Sequence, residues 1–223
     1  MQSQPHKQTI QDSIQQALKN LNINPTINYA GRTDTNVHAI NQSIDFIIPS
    51  YWNNLNKLKN SLNNILHPHI HIKTILPQPS NFHSRFSAKK RSYRYIITNQ
   101  YTPFNANYTL YKPYLNIKKI DQAIKLFIGK HDFEYFCKMG SEVNSYYREI
   151  YKANIFTYKN YTIIKFQGNG FLRSQVRMMV QFLLDISDEK LTITDLKNQL
   201  YKIKKISTSL AIPNGLYLER IWY

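Results

Sequence analysis

Apolar residues recur along the chain at two spacings, which together predict a mixture of helices and strands. Spacings of three and four predict amphipathic helices over residues 9–21, 52–66, 118–129, 171–185 and 194–204. Alternation predicts strands at 26–30, 44–48, 70–75 and 92–98, a hairpin of 148–158 with 161–167, and a final strand at 215–223. Both halves mix the two kinds of element, so we predict an α+β fold in which each half is an antiparallel or mixed sheet covered by helices.

A polar stretch at residues 98–107, TNQYTPFNAN, divides the chain near its middle. We therefore predict two lobes, one over residues 1–104 and one over residues 105–223. The 223 residues are enough to give each lobe its own core.

Positive charge dominates the composition, with 29 Lys and Arg against 13 Asp and Glu and a formal charge of +16. A chain this basic is attracted to polyanions, and nucleic acid is the first candidate. The alternative is that richness in Lys, Asn, Ile and Tyr reflects AT-rich coding, so that some lysines touch nothing. One cysteine permits no internal disulfide, and no apolar run approaches the roughly 20 residues of a membrane helix. We expect a cytoplasmic protein with no membrane contact.

The segment GRTDTNVHA, residues 31–39, places three reactive side chains in a polar loop between two predicted strands. Arg32, Asp34 and His38 lie within seven residues, and loops held by a sheet are frequent sites of catalytic groups. Basic neighbours favour an ionised Asp34. The alternative is an Asx turn, in which the carboxylate caps its own backbone.

A second segment, NFHSRFSAKKRSYRYII at residues 81–97, interleaves cationic and aromatic side chains. Cations neutralise phosphates, and aromatic rings stack on unpaired bases. Tyr93 and Tyr95 are expected on one face of the strand, with Arg94 on the other. The alternative is a solvated strand with two core tyrosines. The cationic residues of this segment are Arg85, Lys89, Lys90, Arg91 and Arg94, and His83 is a further candidate.

The third segment, GNGFLRSQVRMMV at residues 168–180, begins a strongly apolar helix. Arg173 and Arg177 are four residues apart and are expected to share a helix face. Because an unpaired arginine is costly to bury, we expect a carboxylate or phosphate partner. The alternative is that both arginines extend to water.

Taken in order, these segments resemble the motifs of the tRNA pseudouridine synthase A (TruA) family. That family typically shows GRTDAGVHA, FHARFSAxxRxYRY, NGFLRxMVR and a final GLYL, where this chain has GRTDTNVHA, FHSRFSAKKRSYRY, NGFLRSQVR and GLYL. Residues 136–155, FCKMGSEVNSYYREIYKANI, also resemble the family's FxKxGSxxxxxxRxI region. The resemblance covers nearly the whole chain from about residue 8 onward.

The resemblance implies an isomerase that converts uridine to pseudouridine at tRNA positions 38 to 40, in the anticodon stem-loop. Asp34 matches the aspartate that initiates glycosidic cleavage, Tyr93 the tyrosine that packs on the base, and Arg177 the arginine that pairs with the aspartate. Arg32 and His38 match flanking positions. The carboxylate can attack C1′ or take a sugar proton, and the sequence leaves both open. The family is a homodimer of two α+β lobes that merge around a basic cleft, and it needs neither metal nor cofactor.

Two departures from the family pattern stand out. Thr35-Asn36 replaces Ala-Gly, and Asn is the non-glycine residue best suited to positive φ, so we expect the turn to form. Family members also usually begin with a strand carrying a YDGxxYxGWQ-like stretch. Met1 lies almost at the first predicted helix, so we expect this strand to be missing and its neighbour to have an unpaired edge.

Two other functions fit parts of the sequence. A catalytically degenerate RNA-binding relative would keep the cleft without turnover. A metal-dependent hydrolase would use the histidines of HPHIH, residues 67–71, but no nearby cysteine or carboxylate cluster completes a zinc set. We therefore predict no metal site.

Overall fold

A computed structural model describes residues 3–4, 8–24, 26–140 and 143–223. Contacts within the chain divide it into two compact units. Unit 1 comprises Met1–Thr33 and Gln42–Ala88, and unit 2 comprises Asp34–Asn41 and Lys89–Tyr223.

Unit 1 contains two capped helices and a two-stranded sheet. Helix α1 (Ile10–Asn20) begins at a capping box, in which the Thr9 side chain accepts from the Asp12 backbone and the Asp12 carboxylate accepts from the Thr9 backbone. Strands β1 (Asn28–Tyr29) and β3 (Ile44–Asp45) pair antiparallel, and α2 (Leu55–Leu66) is capped by the Asn54 side chain. Among the described residues, α1 is the first regular element. The core of the unit is formed by Ile14, Ala17, Leu18, Ile23, Ile27, Leu58, Leu62 and Leu66.

The predicted strands of unit 1 are short or absent in the structure. Strand β1 ends at residue 29 and β3 at residue 45. Among the residues described, the 70–75 segment forms no strand. The Asn63 side chain accepts from the Ile72 backbone nitrogen at 2.6 Å and donates to its carbonyl at 3.0 Å. Because one amide group satisfies both backbone groups of Ile72, this position does not need a strand partner. The apolar alternation still packs Ile70 and Ile72 against the core.

Unit 2 is built on a seven-stranded mixed sheet. Its main path runs β2 (His38–Ala39), β9 (Leu216–Trp222), β4 (Lys90–Thr98), β8 (Tyr161–Gly168), β7 (Tyr147–Tyr158) and β6 (Gly129–Asp132), and β5 (Leu110–Tyr111) also pairs with β4. The pairs β2–β9 and β4–β5 are parallel, and the others are antiparallel. The predicted hairpin is confirmed as β7 and β8, and Lys159 takes the positive φ of 52° in its turn.

Among the described residues of unit 2, three helices lie near the predicted positions, but all three differ from their predicted spans. Helix α3 (Ile117–Ile124) continues as a 3₁₀ turn, Lys125–Phe127, so the predicted helix ends before residue 129. Helix α4 (Gln175–Ser187) begins four residues later than predicted, because Ser174 has φ 58° and cannot be helical. Helix α5 (Ile193–Leu200) ends before the predicted residue 204, close to the positive φ of Lys202.

One apolar core fills unit 2. The buried face of the central strands, including Tyr95, Ile97 and Phe166, belongs to the same cluster as residues of α3 and α4 such as Ile120 and Leu183. The α+β prediction with a mixed sheet is therefore confirmed. The division into units differs from the predicted boundary at residues 104 and 105, because β4 pairs with β8 and β9 along most of its length and so belongs to unit 2.

Candidate active site

The Asp34 carboxylate forms an ion pair with Arg177. Its Oδ2 lies 2.8 Å from one terminal nitrogen of Arg177, although the two residues are 143 positions apart in the chain. Arg177 lies in the first turn of α4, and its Nε donates to the Ala211 carbonyl at 2.7 Å. The guanidinium is 14% exposed and the carboxylate 40%. A mostly buried cation is thus held in place by a main-chain oxygen and presents its charge to a carboxylate that water can reach.

The loop that carries Asp34 is closed by its own backbone. The Val37 nitrogen donates to the Asp34 carbonyl at 3.1 Å, and Asn36 takes φ 62°. The expectation that Asn36 would adopt positive φ is confirmed. Among the described residues, the carboxylate bonds to the side chains of Ser174 and Arg177 rather than capping its own turn. The Asx-turn alternative therefore does not describe this loop.

Ser174 is a contact of Asp34 that sequence reasoning missed. Its Oγ donates to Asp34 Oδ2 at 3.3 Å, so one carboxylate oxygen accepts from both Ser174 and Arg177. Ser174 precedes α4 with φ 58° and ψ 9°, a left-handed conformation that is uncommon for serine. The only signal in the sequence was its position between Arg173 and Arg177.

Tyr93 lies on the buried side of β4 and is 9% exposed. Burial raises the pKa of Tyr93 to about 12, with the positive charge of Arg91 acting against the shift and the negative charge of Asp34 adding to it. Tyr93 therefore stays protonated near neutral pH. Its ring and that of Phe171 form a T-shaped pair, with centroids 5.1 Å apart and planes at 80°. Phe171 is a second contact that sequence reasoning missed.

Tyr95 matches the alternative of a core tyrosine. It is fully buried, and its hydroxyl donates to the Ile212 carbonyl at 2.8 Å. Burial raises the pKa of its hydroxyl well above the usual range. Tyr93 and Tyr95 do share one face of β4, as predicted from strand alternation.

Comparison with known proteins indicates a family for this chain. A family model described as tRNA pseudouridine synthase matches residues 123–223. A protein of Campylobacter jejuni (strain RM1221) named tRNA pseudouridine synthase A is 39% identical over 222 residues, covering 99% of this chain and 92% of that protein. A Helicobacter pylori (strain G27) protein of the same name is 40% identical over 227 residues, with the same coverage.

This chain belongs to the tRNA pseudouridine synthase A family. The resemblance seen in the sequence motifs is confirmed. The region matched by the family model contains Arg177, whereas Asp34 and Tyr93 lie in the part of the chain that the two relatives cover.

Arg173, the first arginine of the third motif, does not lie on the helix as predicted. Arg173 precedes α4, and its terminal nitrogen donates to the Met139 and Gly140 carbonyls at 3.3 and 3.5 Å. Arg177 points to Asp34 and Ala211 instead. The expected shared helix face is therefore wrong, because the left-handed backbone at Ser174 interrupts the helical spacing between the two arginines.

Two predicted contact residues of unit 2 are held by other groups. Arg94 lies on the face of β4 opposite Tyr93 and pairs with Glu219 at 2.8 Å. The His38 ring stacks on Tyr217, with centroids 4.8 Å apart, and its Nε2 lies 2.9 Å from the Asn107 carbonyl. Their roles toward RNA stay predictions.

The remaining predicted contacts divide between the two units. Arg91 is in unit 2 and donates to the Asn169 carbonyl at 3.2 Å. Arg32 and Arg85 belong to unit 1, where Arg32 is exposed and the Arg85 guanidinium lies 5.5 Å from the centroid of the Phe86 ring.

The described residues include no group of three or more His, Cys, Asp or Glu side chains placed to hold a metal ion, and this covers the HPHIH segment. Within the same residues, no helix has both the length and the apolar character that crossing a bilayer requires.

Proposed function

We propose that this chain isomerises uridine to pseudouridine in tRNA and that Asp34 is its catalytic carboxylate. The observation that supports this most is the 2.8 Å contact between Asp34 Oδ2 and Arg177. It joins two distant motifs in a chain that is 39% identical to a protein named tRNA pseudouridine synthase A.

The reaction breaks the bond between N1 and C1′, rotates the uracil and joins C5 to C1′. The proton on C5 leaves and N1 gains one, so atoms balance without an oxidant, a reductant or incorporated water. Asp34 initiates the cleavage. Arg177 and Ser174 both bind Oδ2, whereas Oδ1 has no hydrogen-bond partner among the described residues. We assign Oδ1 to the substrate, because Oδ2 is already occupied by two donors that fix the carboxylate plane.

Tyr93 supplies a surface for the target base. A uridine must leave its stack before the carboxylate can reach C1′, at a cost of a few kcal/mol. Stacking on an aromatic ring recovers about 1–3 kcal/mol per base. Because the pKa of Tyr93 is raised to about 12, its ring contributes as a neutral platform rather than as a base.

The resemblance and the charge of +16 support further parts of the proposal. The substrate uridines are those at tRNA positions 38 to 40, and the chain acts as a homodimer in the cytoplasm. The residues assigned to RNA contact are Arg32, His38, Arg85, Arg91 and Arg94.

The test is tritium release from tRNA labelled at C5 of uridine, followed for the wild type and Asp34→Asn. We expect release by the wild type at the anticodon stem-loop and none by the variant, while tRNA binding persists in both. Turnover by Asp34→Asn near the wild-type rate would refute the role of the carboxylate. A wild type that binds tRNA but releases no tritium would favour the RNA-binding alternative. Light scattering of the purified protein tests the dimer.

A further inference from the structure

Two arginines of unit 2, Arg91 and Arg148, contact the segment formed by Asn169 and Gly170, and Arg173 follows three residues later; we call the three the arginine cluster. Arg91 donates to the Asn169 carbonyl at 3.2 Å. Arg148 packs on the glycine, so that a Cβ built at Gly170 would stand 3.6 Å from the arginine Nε. Arg173 lies three residues beyond the glycine and reaches the carbonyls of the 139–140 segment.

Two hydrogen bonds connect Asn169 to Glu149 of β7. The Asn169 nitrogen donates to the Glu149 carbonyl at 3.0 Å, and its side-chain oxygen accepts from the Glu149 nitrogen at 3.1 Å. Gly168 cannot be replaced without movement, because a Cβ there would lie 2.6 Å from the Glu149 carbonyl oxygen. The segment that Arg91 and Arg148 contact is therefore closely packed and hydrogen-bonded against β7.

Arg148 is half-buried, and its positive charge meets only main-chain oxygens among the described residues. One terminal nitrogen donates to the Ser145 and Tyr147 carbonyls at 2.8 and 2.6 Å. In the part of the chain that the structure describes, no carboxylate lies within ion-pair distance of Arg148 or Arg173. Among the described residues, Nε and the other terminal nitrogen of Arg148 donate no hydrogen bond.

Electrostatic effects on Arg148 and Cys137 agree with these contacts. Burial lowers the pKa of Arg148; Cys137 opposes this shift, and the positive charge of Arg91 adds to it. Burial raises the pKa of the Cys137 thiol, and the charges of Arg148 and Arg173 both act against that shift. Because Arg148 is partly desolvated and neither it nor Arg173 has an ion-pair partner among the described residues, an anion bound beside them would be stabilising.

The arginine cluster also borders the candidate active site. Phe171 follows Gly170 directly, and its ring contacts Tyr93 at 5.1 Å between centroids. Arg91 sits on β4 two residues before Tyr93. An anion held by the cluster would thus lie beside the place assigned to the target base.

We propose that the arginine cluster binds a backbone phosphate of the RNA next to the target uridine, an inference that rests on the proposed function. Guanidinium groups match phosphate oxygens in a two-pronged geometry, and phosphate contacts position nucleic acid without reading its sequence. The cluster holds the flanking backbone while Tyr93 holds the base. Arg148 and Arg173 are the two members that the sequence motifs alone did not assign to RNA.

The test measures tRNA affinity against salt for Arg148→Gln, Arg173→Gln and the control Lys159→Gln, each made in the full chain. Lys159 lies in the turn at the other end of β7, roughly 35 Å from Arg148 along the strand. The control thus removes the same charge from the same hairpin. Dissociation constants are measured between about 50 and 200 mM salt.

We expect both arginine variants to bind tRNA roughly 10-fold more weakly. We also expect each to reduce the slope of log Kd against log salt by about 1, as loss of one phosphate contact would. Lys159→Gln should leave both quantities unchanged. A slope equal to that of the wild type in both arginine variants would overturn the proposal, as would an equal loss in the control. If Arg148→Gln proves unfolded by its melting curve, Arg173→Gln decides, because that side chain is exposed and precedes the helix.

Failure of this inference can be told apart from failure of the proposed function. Tritium release by the wild type with unchanged slopes in the variants would refute only the phosphate site. Reduced slopes in a chain that releases no tritium would refute the proposed activity and leave the phosphate site standing.

Discussion

Replacing Arg177 by methionine separates the structural and catalytic parts of the ion pair. Methionine fills much of the same apolar space but removes the charge and both hydrogen bonds. Loss of the bond from Nε to Ala211, at 2.7 Å, should cost about 1.5–3 kcal/mol because its donor is charged. Loss of the pair with Asp34 should cost only about 0.2–1 kcal/mol, because water screens a carboxylate that is 40% exposed. The sum is about 2–4 kcal/mol.

For a chain of this size, that loss lowers the melting temperature by roughly 5–15 °C. Asp34→Asn keeps the contact between Arg177 and Ala211, so its free energy of unfolding should fall by less than about 1 kcal/mol. For turnover we expect the opposite order, with the larger loss in Asp34→Asn. Asp34→Asn should abolish turnover, whereas Arg177→Met should lower kcat by about 100-fold, the cost typical of a 1 Å misplacement of a reacting group.

The measurements are melting curves and tritium release at saturating tRNA for both variants. Arg220→Met serves as the control, because Arg220 is an exposed arginine of the same unit that stacks on Trp222 at 5.2 Å. We expect wild-type kcat in the control. A kcat for Arg177→Met within about threefold of the wild type would refute a positioning role for the ion pair. If Asp34→Asn lost as much stability as Arg177→Met, the estimated division of free energy between the two hydrogen bonds of Arg177 would be wrong.

Ser174→Ala and Ser174→Gly both remove the hydroxyl bond to the Asp34 carboxylate, so kcat should fall by a similar factor of about 3–10. The glycine variant should have the higher melting temperature, because it relieves the left-handed strain at φ 58°. Tyr93→Phe should keep kcat/KM within about threefold, whereas Tyr93→Leu should lose about 10–100-fold with the stacking surface. Burial alone would raise the pKa of Glu219, but bonding to Lys165 and the charges of Lys165 and Arg94 hold it below its usual value. The stability from Glu219 is therefore complete above the unfolded pKa and is lost as pH falls through the folded pKa, so the melting temperatures of wild type and Glu219→Gln should converge in acid; a constant gap would contradict this.

Local patterns in the sequence were sufficient for elements whose ends depend on nearby residues. The hairpin of β7 and β8 follows from alternation on either side of a two-residue turn, and α1 follows from apolar spacing behind the Thr9 cap. The positive φ of Asn36 also follows from its residue type. In each case the deciding interactions lie within a few residues of one another, so the sequence contains them directly.

Elements that depend on distant partners were predicted less well. The 70–75 segment alternates like a strand, yet the Asn63 side chain occupies the backbone groups of Ile72. Helix α4 begins after Ser174, whose left-handed backbone coincides with its contact to Asp34. No local pattern signals a positive φ at serine.

Residue types and family resemblance predicted Asp34, Tyr93 and Arg177 as candidate site residues, but not the distances among them or the partners of each atom. The contact of Ser174 with Oδ2, the approach of Phe171 to Tyr93 and the contact of Arg148 with Gly170 all involve the segment between β8 and α4. By itself the sequence determined the class of fold, most of the local elements and the chemistry of the side chains. Only the tertiary structure decided which of those side chains share a site, because that depends on strand pairing and packing between segments more than 100 residues apart.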